Sequence, residues 1–495
     1  MEQLNVQEAT TPPEIVYPRG FRLRMTVISL CIVSFLFGLD LTIVAAAVPR
    51  LTDYFYSVKD IGWYSSAYLL VLAGVGISYG KLYTLFSAKP LYLISLFIFE
   101  AGSLLCTLAP SSTAFILGRA VAGLGAAGIS PGSQVILSQC FPKHRRSLWT
   151  TLVSSCQLAG IVGWQGCFRI NLPLRVAAFL IITLRLQVNN DPTSNDNPDW
   201  RTKLRQFDWI GTVLIISALV SLMLALQLGG SYGWRDSRII VLLVVAPLLL
   251  AAFGWRQYRL QDNATLPPRV LSMRTVLAGA WFSLCVDGIL AVTEYFISIY
   301  FQGVKGYTAT RSGLLIVPLL AGIIVGNAIG GLGTTWLGYY NPFMIATTVL
   351  APIASGLLTT ISLDESIKKP VGVLGFLGLA AGLGLQTPII AVQTIVKQSD
   401  LSVAVSITAF AATLGNSLWI AVSTTLFQSR LNAELIENAG ISEIRDLVGG
   451  DRLRDVLLGY DEAVTQTLYI PVGLAIAAVL GSAFTEWHSV KAEES

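Results

Sequence analysis

The residues of this chain that could do chemistry are charged side chains placed inside long uncharged runs. Arg119 lies within residues 117–132, and Asp40 lies within residues 38–44. An arginine at the centre of a membrane helix costs about 2.5–3.5 kcal/mol on insertion scales unless it faces protein or water. An acid in the same surroundings either pairs with a cation or takes up a proton. We therefore predict that Asp40 and Arg119 face one shared polar cavity inside the molecule.

Three further acids lie within apolar runs, namely Glu100, Asp287 and Glu294. An acid inside a membrane is a candidate for proton transfer, although for these three a structural role is equally open. The later runs also carry aromatic and amide side chains that could line a cavity for an amphipathic substrate. They are Tyr295, Gln302, Asn327, Gln386, Gln393, Asn416 and Trp419. The prediction of a substrate cavity rests mainly on the amides, because a buried amide needs a hydrogen-bond partner or a ligand. Most aromatic residues in such runs only pack against their neighbours.

Metal, cofactor and nucleotide chemistry find little support in the sequence. The chain has two histidines and six cysteines, and neither type shows the spacing of a metal site or a disulfide framework. Gly123, Gly125 and Gly128 match a dinucleotide-binding pattern, but that pattern has meaning only between a strand and a helix, and both flanks here are long apolar runs. We predict no cofactor, no metal site and no enzymatic activity. The small, dispersed net charge of +4 argues against nucleic acid as a partner.

The elements that must position these residues are membrane helices. Charged residues make up 13% of the 495 residues, about half of the roughly 25% typical of soluble proteins. A crossing needs about 20 apolar residues, and it must be helical because the backbone finds no water in the hydrocarbon. We predict an all-α polytopic membrane protein. Its fourteen spans cover residues 25–48, 61–83, 91–110, 113–137, 147–163, 170–187, 208–228, 238–256, 276–301, 312–336, 342–362, 370–394, 402–427 and 464–485.

An internal repeat indicates how these spans are grouped. The pattern Gly80-x-Leu82-x-Thr84 recurs as Gly330-x-Leu332-x-Thr334, and each copy is followed by a proline and an apolar run. Spans 2 and 3 therefore echo spans 10 and 11, which is the form of repeat that transporter folds show. We predict two six-helix halves with spans 7 and 8 inserted between them.

The domain ranges follow from this grouping and from the charges of the connections. Lysine and arginine are more numerous in the connections on the side of the N-terminus, which places both termini in the cytosol. We predict a disordered cytosolic tail at 1–20, a first six-helix half at 21–187, a cytosolic linker at 188–207, two inserted helices at 208–260, and a second six-helix half at 270–486 with an outer loop at 428–463.

Several of these stretches are similar to signatures of one family. Residues 118–125, Gly-Arg-Ala-Val-Ala-Gly-Leu-Gly, resemble the fourth-helix signature of drug antiporters of the major facilitator superfamily. Residues 39–44, Leu-Asp-Leu-Thr-Ile-Val, resemble the first-helix signature of their fourteen-span branch. Residues 171–173, 300–306 and 384–393 are similar to fungal toxin and multidrug efflux members. The resemblance covers nearly the whole chain.

This resemblance implies a fold, a function and a set of partners. The fold would be that of the major facilitator superfamily, with a central cavity that opens alternately to the two sides of the membrane. The function would be proton-coupled export of small amphipathic compounds, such as toxins, secondary metabolites or drugs, with Asp40 and Arg119 taking part in proton coupling. The partners would be the substrate, protons and the lipid bilayer. The protein would be a monomer of the plasma membrane, with the vacuolar membrane as the alternative.

The chain departs from the family pattern at two places. Residues 80–89 lack the acid and the Gly-Arg-Lys cluster that gate the inner face in the superfamily. The fifth span, 147–163, lacks the glycine-rich antiporter signature, and at 1.5 Å per residue it barely crosses about 25 Å of hydrocarbon. We therefore predict a truncated fifth helix.

Two alternative functions stay open. Fourteen-span relatives include transporters of siderophores and other defined solutes, so the substrate could be one such solute. The incomplete fifth span favours an alternative of a different class, a transport-deficient paralogue or sensor.

Overall fold

Every regular element that can be described in this protein is helical. The computed structural model describes residues 20–55, 61–162, 200–232, 234–430 and 450–491, and no strand occurs in these ranges. The predicted tail at 1–19, the sixth span, the linker up to residue 199 and residues 431–449 of the predicted outer loop lie outside them. The all-α prediction therefore holds for the described part of the chain.

By the predicted grouping, the helices divide into a first half, an inserted pair and a second half. The first half comprises α1 (Phe21–Phe55), α2 (Ile61–Leu85), α3 (Ala88–Thr107), α4 (Ser112–Cys140) and α5 (Lys143–Val162). The short α6 (Trp200–Gln206) precedes the inserted pair, α7 (Trp209–Tyr232) and α8 (Ser237–Leu260). The short α9 (Pro268–Leu271) leads into the second half, which comprises α10 (Arg274–Ile299), a π-helical turn (Tyr300–Val304), α11 (Ala309–Leu337), α12 (Asn341–Leu358), α13 (Lys368–Leu385), α14 (Thr387–Ile395), α15 (Leu401–Arg430), α16 (Gly450–Thr467) and α17 (Tyr469–Phe484).

The structure does not confirm fourteen spans. Among the described residues, twelve helical segments are long and apolar enough to cross a membrane. The helix at the fifth predicted span, α5, is not one of them, because it opens with Lys143 and continues through Arg145, Arg146 and several serines and threonines. The sixth predicted span lies outside the described ranges, as do the residues after Val162, so the truncation of helix 5 stays a prediction.

The last span begins earlier than the sequence predicts. Residues 450–463 belong to the outer loop, whose alternating acids and bases predict short amphipathic helices at the surface, and α16 runs as one helix from Gly450 to Thr467. Leu457, Tyr460 and Val464 recur at helical spacing, and all three are buried. They pack on the π-helical turn and on α15, and this contact extends the helix beyond the limits of the apolar run.

Close packing of α3 on α4 depends on glycine. A Cβ added to Gly125 would lie 2.2 Å from the Phe99 backbone nitrogen, and one added to Gly102 would lie 2.2 Å from the Ala122 backbone nitrogen. Small residues let membrane helices approach backbone to backbone, where van der Waals contact replaces the missing hydrophobic force. The glycines and alanines of α4 thus allow the close helix packing that their small-xxx-small spacing predicts.

The two halves meet along two helix–helix contacts, called seams below. At one seam α2 packs on α15, where a Cβ on Gly80 would lie 2.7 Å from the Ser406 Cβ. At the other α11 packs on α5, where a Cβ on Gly331 would lie 2.0 Å from the Thr151 hydroxyl. The inserted helix α7 packs on α2 and α15, so the inserted pair borders the first seam only.

Replacing Gly125 by alanine should test the α3–α4 contact. The new methyl group would force the two backbones apart, and such overpacking costs about 1–3 kcal/mol. We expect Gly125→Ala to lower the midpoint of thermal unfolding in detergent micelles. The matched control is Gly254→Ala in α8, where an added Cβ meets nothing within 4 Å. Equal midpoints for the two variants would contradict the packing argument.

Candidate functional site

Asp40 and Arg119 form an ion pair inside the first half. The Arg119 Nη1 lies 2.7 Å from the Asp40 Oδ2, and its Nε donates to the carbonyl oxygen of Tyr64 at 3.1 Å. The guanidinium carbon also lies 4.3 Å from the ring centroid of Tyr68. Tyr64 and Tyr68 share one face of α2 because they are four residues apart. The pair therefore joins α1, α2 and α4 at one point.

Aromatic side chains separate this ion pair from water. Asp40 is 5% exposed and Arg119 is 3% exposed. The Tyr64 ring packs edge-on against Phe115 at 5.3 Å between centroids, and its hydroxyl lies 3.1 Å from the Ser112 hydroxyl. Breaking a buried ion pair by removing one partner is costly because the other charge stays buried without compensation.

A cavity of about 290 Å³ lies between the two halves. Helices α1, α2, α4 and α5 of the first half and α10, α11, α13, α14 and α15 of the second half contribute to its lining. Neither Asp40 nor Arg119 does so. Phe37, one helical turn before Asp40, marks the edge of the cavity on α1. The structure thus brings the predicted pair together but differs from the prediction that both residues face the shared cavity, because Arg119 is drawn between the tyrosines of α2.

The acids that do face the cavity are Asp287 and Glu294. They are seven residues apart on α10, which is two helical turns, so both lie on one face of that helix. Among the described residues, no hydrogen bond or ion pair reaches either carboxylate. The third predicted acid, Glu100, is half-buried on α3 and does not line the cavity. Two carboxylates are therefore the ionisable groups of the described cavity wall.

The predicted substrate-cavity residues divide into two groups. Gln386 and Asn416 line the cavity. Asn327 and Gln393 are buried at the contacts between the halves, and Asn327 donates to the Ser155 hydroxyl at 3.3 Å. The first two can reach a substrate directly, whereas the other two hold the halves together in this arrangement.

The remaining three predicted residues lie away from the cavity wall. The Gln302 side chain donates to the Ser298 hydroxyl at 2.8 Å. Tyr295 is exposed on the outside of α10, and Trp419 packs against Gly288. Two cavity amides that the sequence analysis did not select are Gln134 and Gln157. An amide within an apolar run was again the signal that could have found them.

Hydrogen bonds between the halves cluster at one end of the molecule. This inner end is where α2 and α4 finish and α5 and α15 begin, the side predicted to be cytosolic. Thr84 and Ser402 hydroxyls lie 2.8 Å apart, and the Ser147 hydroxyl donates to the Gly331 carbonyl oxygen at 3.0 Å. The Gln393 amide donates to the Gln134 side-chain oxygen at 3.3 Å. These contacts close the cavity towards the inner end.

A chain of polar contacts through the connection after α8 links the first half to the second half at this inner end. Lys81 donates to the Asp262 carbonyl oxygen at 2.6 Å. Arg269 lies 3.3 Å from the Asp262 carboxylate and 3.0 Å from the Asp400 carboxylate. The hydrogen bond that Arg269 donates to the Asp400 carboxylate raises the pKa of Arg269, so the guanidinium stays charged. Residues 80–89 contain no acid. The acids at this end are Asp262, in the connection after α8, and Asp400, just before α15.

Comparison with known proteins places this geometry among membrane transporters. A family model described as Major Facilitator Superfamily matches residues 30–420. The efflux pump roqT of Penicillium rubens is 37% identical over 489 residues, covering 94% of this chain and 90% of the pump. The efflux pump MFS1 of Trichophyton rubrum is 36% identical, covering 96% and 93%. The thioclapurine efflux transporter tcpA of Claviceps purpurea is 37% identical, covering 97% and 93%.

Solved structures show the same fold at low sequence identity. The human organic anion transporter MFSD10 superimposes with a TM-score of 0.60 at 12% identity, over 94% of this chain and 100% of that one. The proton:xylose symporter XylE superimposes with a TM-score of 0.56 at 13% identity, over 95% and 97%. At this identity the likeness concerns the fold alone.

Removing one member of the Asp40–Arg119 pair should destabilise the protein. Arg119→Ala leaves a buried carboxylate without a counter-charge, at a cost of about 3–5 kcal/mol. We expect a sharply reduced yield of monodisperse protein on size-exclusion chromatography and a lower thermal midpoint, with partial recovery in the double variant Asp40→Asn/Arg119→Met.

The control for this experiment is Arg311→Ala. Arg311 also stacks on a tyrosine, 4.0 Å from the Tyr307 ring centroid, but it is exposed at the start of α11. An exposed cation–π contact contributes only about 0.5–1 kcal/mol. If Arg119→Ala proved as stable as Arg311→Ala, the buried pair would not be needed for folding.

The inner ion pairs should hold the closure in place. In a variant whose native cysteines are replaced by serine, Ser402→Cys would report access to the inner end. Each exposed ion pair contributes up to about 1 kcal/mol, so Arg269→Ala should raise the labelling rate by an impermeant maleimide about fivefold. The control is Arg259→Ala, whose guanidinium stacks on Trp255. Equal labelling rates in the two variants would show that Arg269 does not secure the closure.

Proposed function

This chain belongs to the Major Facilitator Superfamily, and we propose that it exports small amphipathic compounds in exchange for protons. It is a transporter and not an enzyme, and the relatives that it matches over nearly their whole length are fungal efflux pumps. The proposal rests on the cavity between the halves, which is closed at one end and lined by both apolar and polar side chains. Sites of this kind are typical of small-molecule binding.

Alternating access follows from the two seams. Substrate would enter from the cytosol only when the hydrogen bonds of the inner end are broken and the opposite ends of the halves approach each other. Such exchange is a rigid-body movement of one packed body against another. Gly80 lies against α15 and Gly331 lies against α5, and the absence of a side chain at these two positions lets the halves move along each other.

Proton coupling is assigned to the Asp40–Arg119 pair. A proton on Asp40 would remove the charge that holds the Arg119 guanidinium at 2.7 Å, and α1 would be released from α4. A ligand shifts a conformational equilibrium only when it binds the two states with different affinity. A proton satisfies this condition here, since it would compete with the Arg119 guanidinium for Asp40 and so favour a state in which the two are apart.

The proposed location is the plasma membrane, with the vacuolar membrane as the alternative. With both termini in the cytosol, the closed inner end faces the cytosol and the cavity faces outward. After it releases a compound from this outward-facing state, the protein must return to an inward-facing state before it can bind another molecule. The protein is proposed to act as a monomer.

A whole-cell efflux assay tests this function. Cells that express the chain should accumulate less of at least one of two amphipathic dyes, one neutral and one cationic, than empty-vector cells, and a protonophore should abolish the difference. When the amount of folded protein in the membrane is matched to wild type, Asp40→Asn should raise accumulation to the empty-vector level because the proton site is lost. The match is needed because this variant leaves Arg119 buried without its counter-charge. Glu100→Gln, which alters a membrane acid outside the cavity, should leave export unchanged.

Other outcomes of this assay separate the alternative functions. Wild-type accumulation equal to that of empty-vector cells would favour the transport-deficient paralogue suggested by the incomplete fifth span. Growth on iron chelates under iron limitation, without dye export, would favour a siderophore transporter. Export that survives the protonophore would contradict proton coupling.

A further inference from the structure

We propose that the cavity selects amphipathic compounds that carry a positive charge, and that Asp287 and Glu294 bind that charge. The inference rests on the proposed function, since it names the chemical class of what the cavity takes. Both acids lie on one face of α10, and both line the cavity. They are separated by two helical turns, or about 10 Å along the helix axis.

The first argument is the absence of any counter-charge. No lysine, arginine or histidine is among the described residues that line the cavity, and no described side chain pairs with Asp287 or Glu294. Asp287 is half-buried and Glu294 is exposed, and a carboxylate within a membrane-spanning segment needs water, a counter-charge or a proton to compensate its charge. Asp40 has its cation in Arg119, but Asp287 and Glu294 have only what enters the cavity. A cationic ligand meets this need directly.

A second, independent observation concerns neutral polar atoms on the same wall. The Ser406 hydroxyl is cavity-lining and buried, with the residue 2% exposed, and it has no hydrogen-bond partner. The side-chain oxygen of Gln386 is also without a partner. Buried polar atoms are nearly always hydrogen-bonded, so atoms left unpaired on a cavity wall point to a ligand. With two carboxylates and the side-chain oxygens of Gln386 and Ser406, the wall is rich in electronegative groups, which suits a ligand that carries a positive charge.

The rest of the wall fits an apolar body. Leu69, Leu72, Leu290, Leu320 and Phe410 line the cavity between its polar groups. The volume of about 290 Å³ is near the lower end of the roughly 300–1,000 Å³ of small-molecule sites. The expected ligand is therefore a small aromatic or aliphatic cation rather than a peptide or a large glycoside.

Charge recognition and proton coupling lie in different halves. The described wall residues of the first half carry no charge, while both cavity acids belong to the second half. The Asp40–Arg119 pair lies wholly within the first half. Substitution of the cavity acids should therefore change which compounds bind without removing the proton site.

The test compares two dyes that differ by one methyl group and one charge. They are an N-methylated styrylpyridinium dye and its neutral styrylpyridine parent, presented to purified full-length protein in detergent and to expressing cells. We expect wild type to bind the cation at least tenfold more tightly than the parent. Asp287→Asn and Glu294→Gln should each weaken cation binding at least fivefold and change binding of the parent less than twofold.

Control variants distinguish a loss of cation binding from a loss of folded protein. Asp287→Glu keeps the charge and should keep most of the cation preference, whereas Glu100→Gln should match wild type for both dyes. Each variant is compared by its size-exclusion profile before binding is measured. Equal binding of both dyes by wild type, or equal losses for both dyes in the acid variants, would overturn the inference.

The outcomes for the inference and for the proposed function are distinct. The inference stands if purified protein prefers the cation and loses that preference in Asp287→Asn. If cells nevertheless export neither dye, the proposed export function fails while the inference stands. If cells export the neutral parent in a protonophore-sensitive way but the cation gains nothing from the two acids, export stands and the inference fails.

Discussion

The constraint on which the rest of this structure depends is that a charge inside a membrane protein must be compensated. Asp40 and Arg119 compensate each other at 2.7 Å, and the pair determines how α1, α2 and α4 face one another. Such a pair contributes little net stability compared with apolar residues of the same size, because both ions are desolvated. Its effect is on specificity: any other arrangement of these helices leaves a charge unpaired.

The same constraint distinguishes three environments within one chain. Charges inside a helical half are paired and shielded by aromatic rings, as at Arg119. Charges at the inner end, such as Arg269 and Asp400, are paired across helices and partly exposed. The carboxylates of Asp287 and Glu294 have no partner among the described residues and face the cavity between the halves. Only the third environment leaves a charge free to interact with a transported molecule.

The inserted helices also help to place charged residues at the inner end, in addition to their lipid-facing surface. The buried Asp208 accepts hydrogen bonds from Arg256 at 2.6 Å and from Gln257 at 2.9 Å, and the Gln257 side-chain oxygen accepts from the Leu266 backbone at 2.9 Å. This network fixes the connection after α8. That connection carries Asp262 and Arg269 to the inner end, where the superfamily pattern would have placed charges after the second span.

The sequence by itself determined the helical class, most of the spans, the close packing of α4 and the presence of charges that must be buried, because hydropathy, small-residue spacing and desolvation cost are properties of short stretches. It also determined the family, and the comparisons confirm that resemblance. Only the tertiary structure decided which acids face the cavity, because the face that a helix presents depends on how it is rotated against helices distant in the chain. Asp40 meets Arg119 across 79 residues, and Arg269 meets Asp400 across 131, so neither the isolation of the first pair from the cavity nor the ionic closure could be read from local pattern.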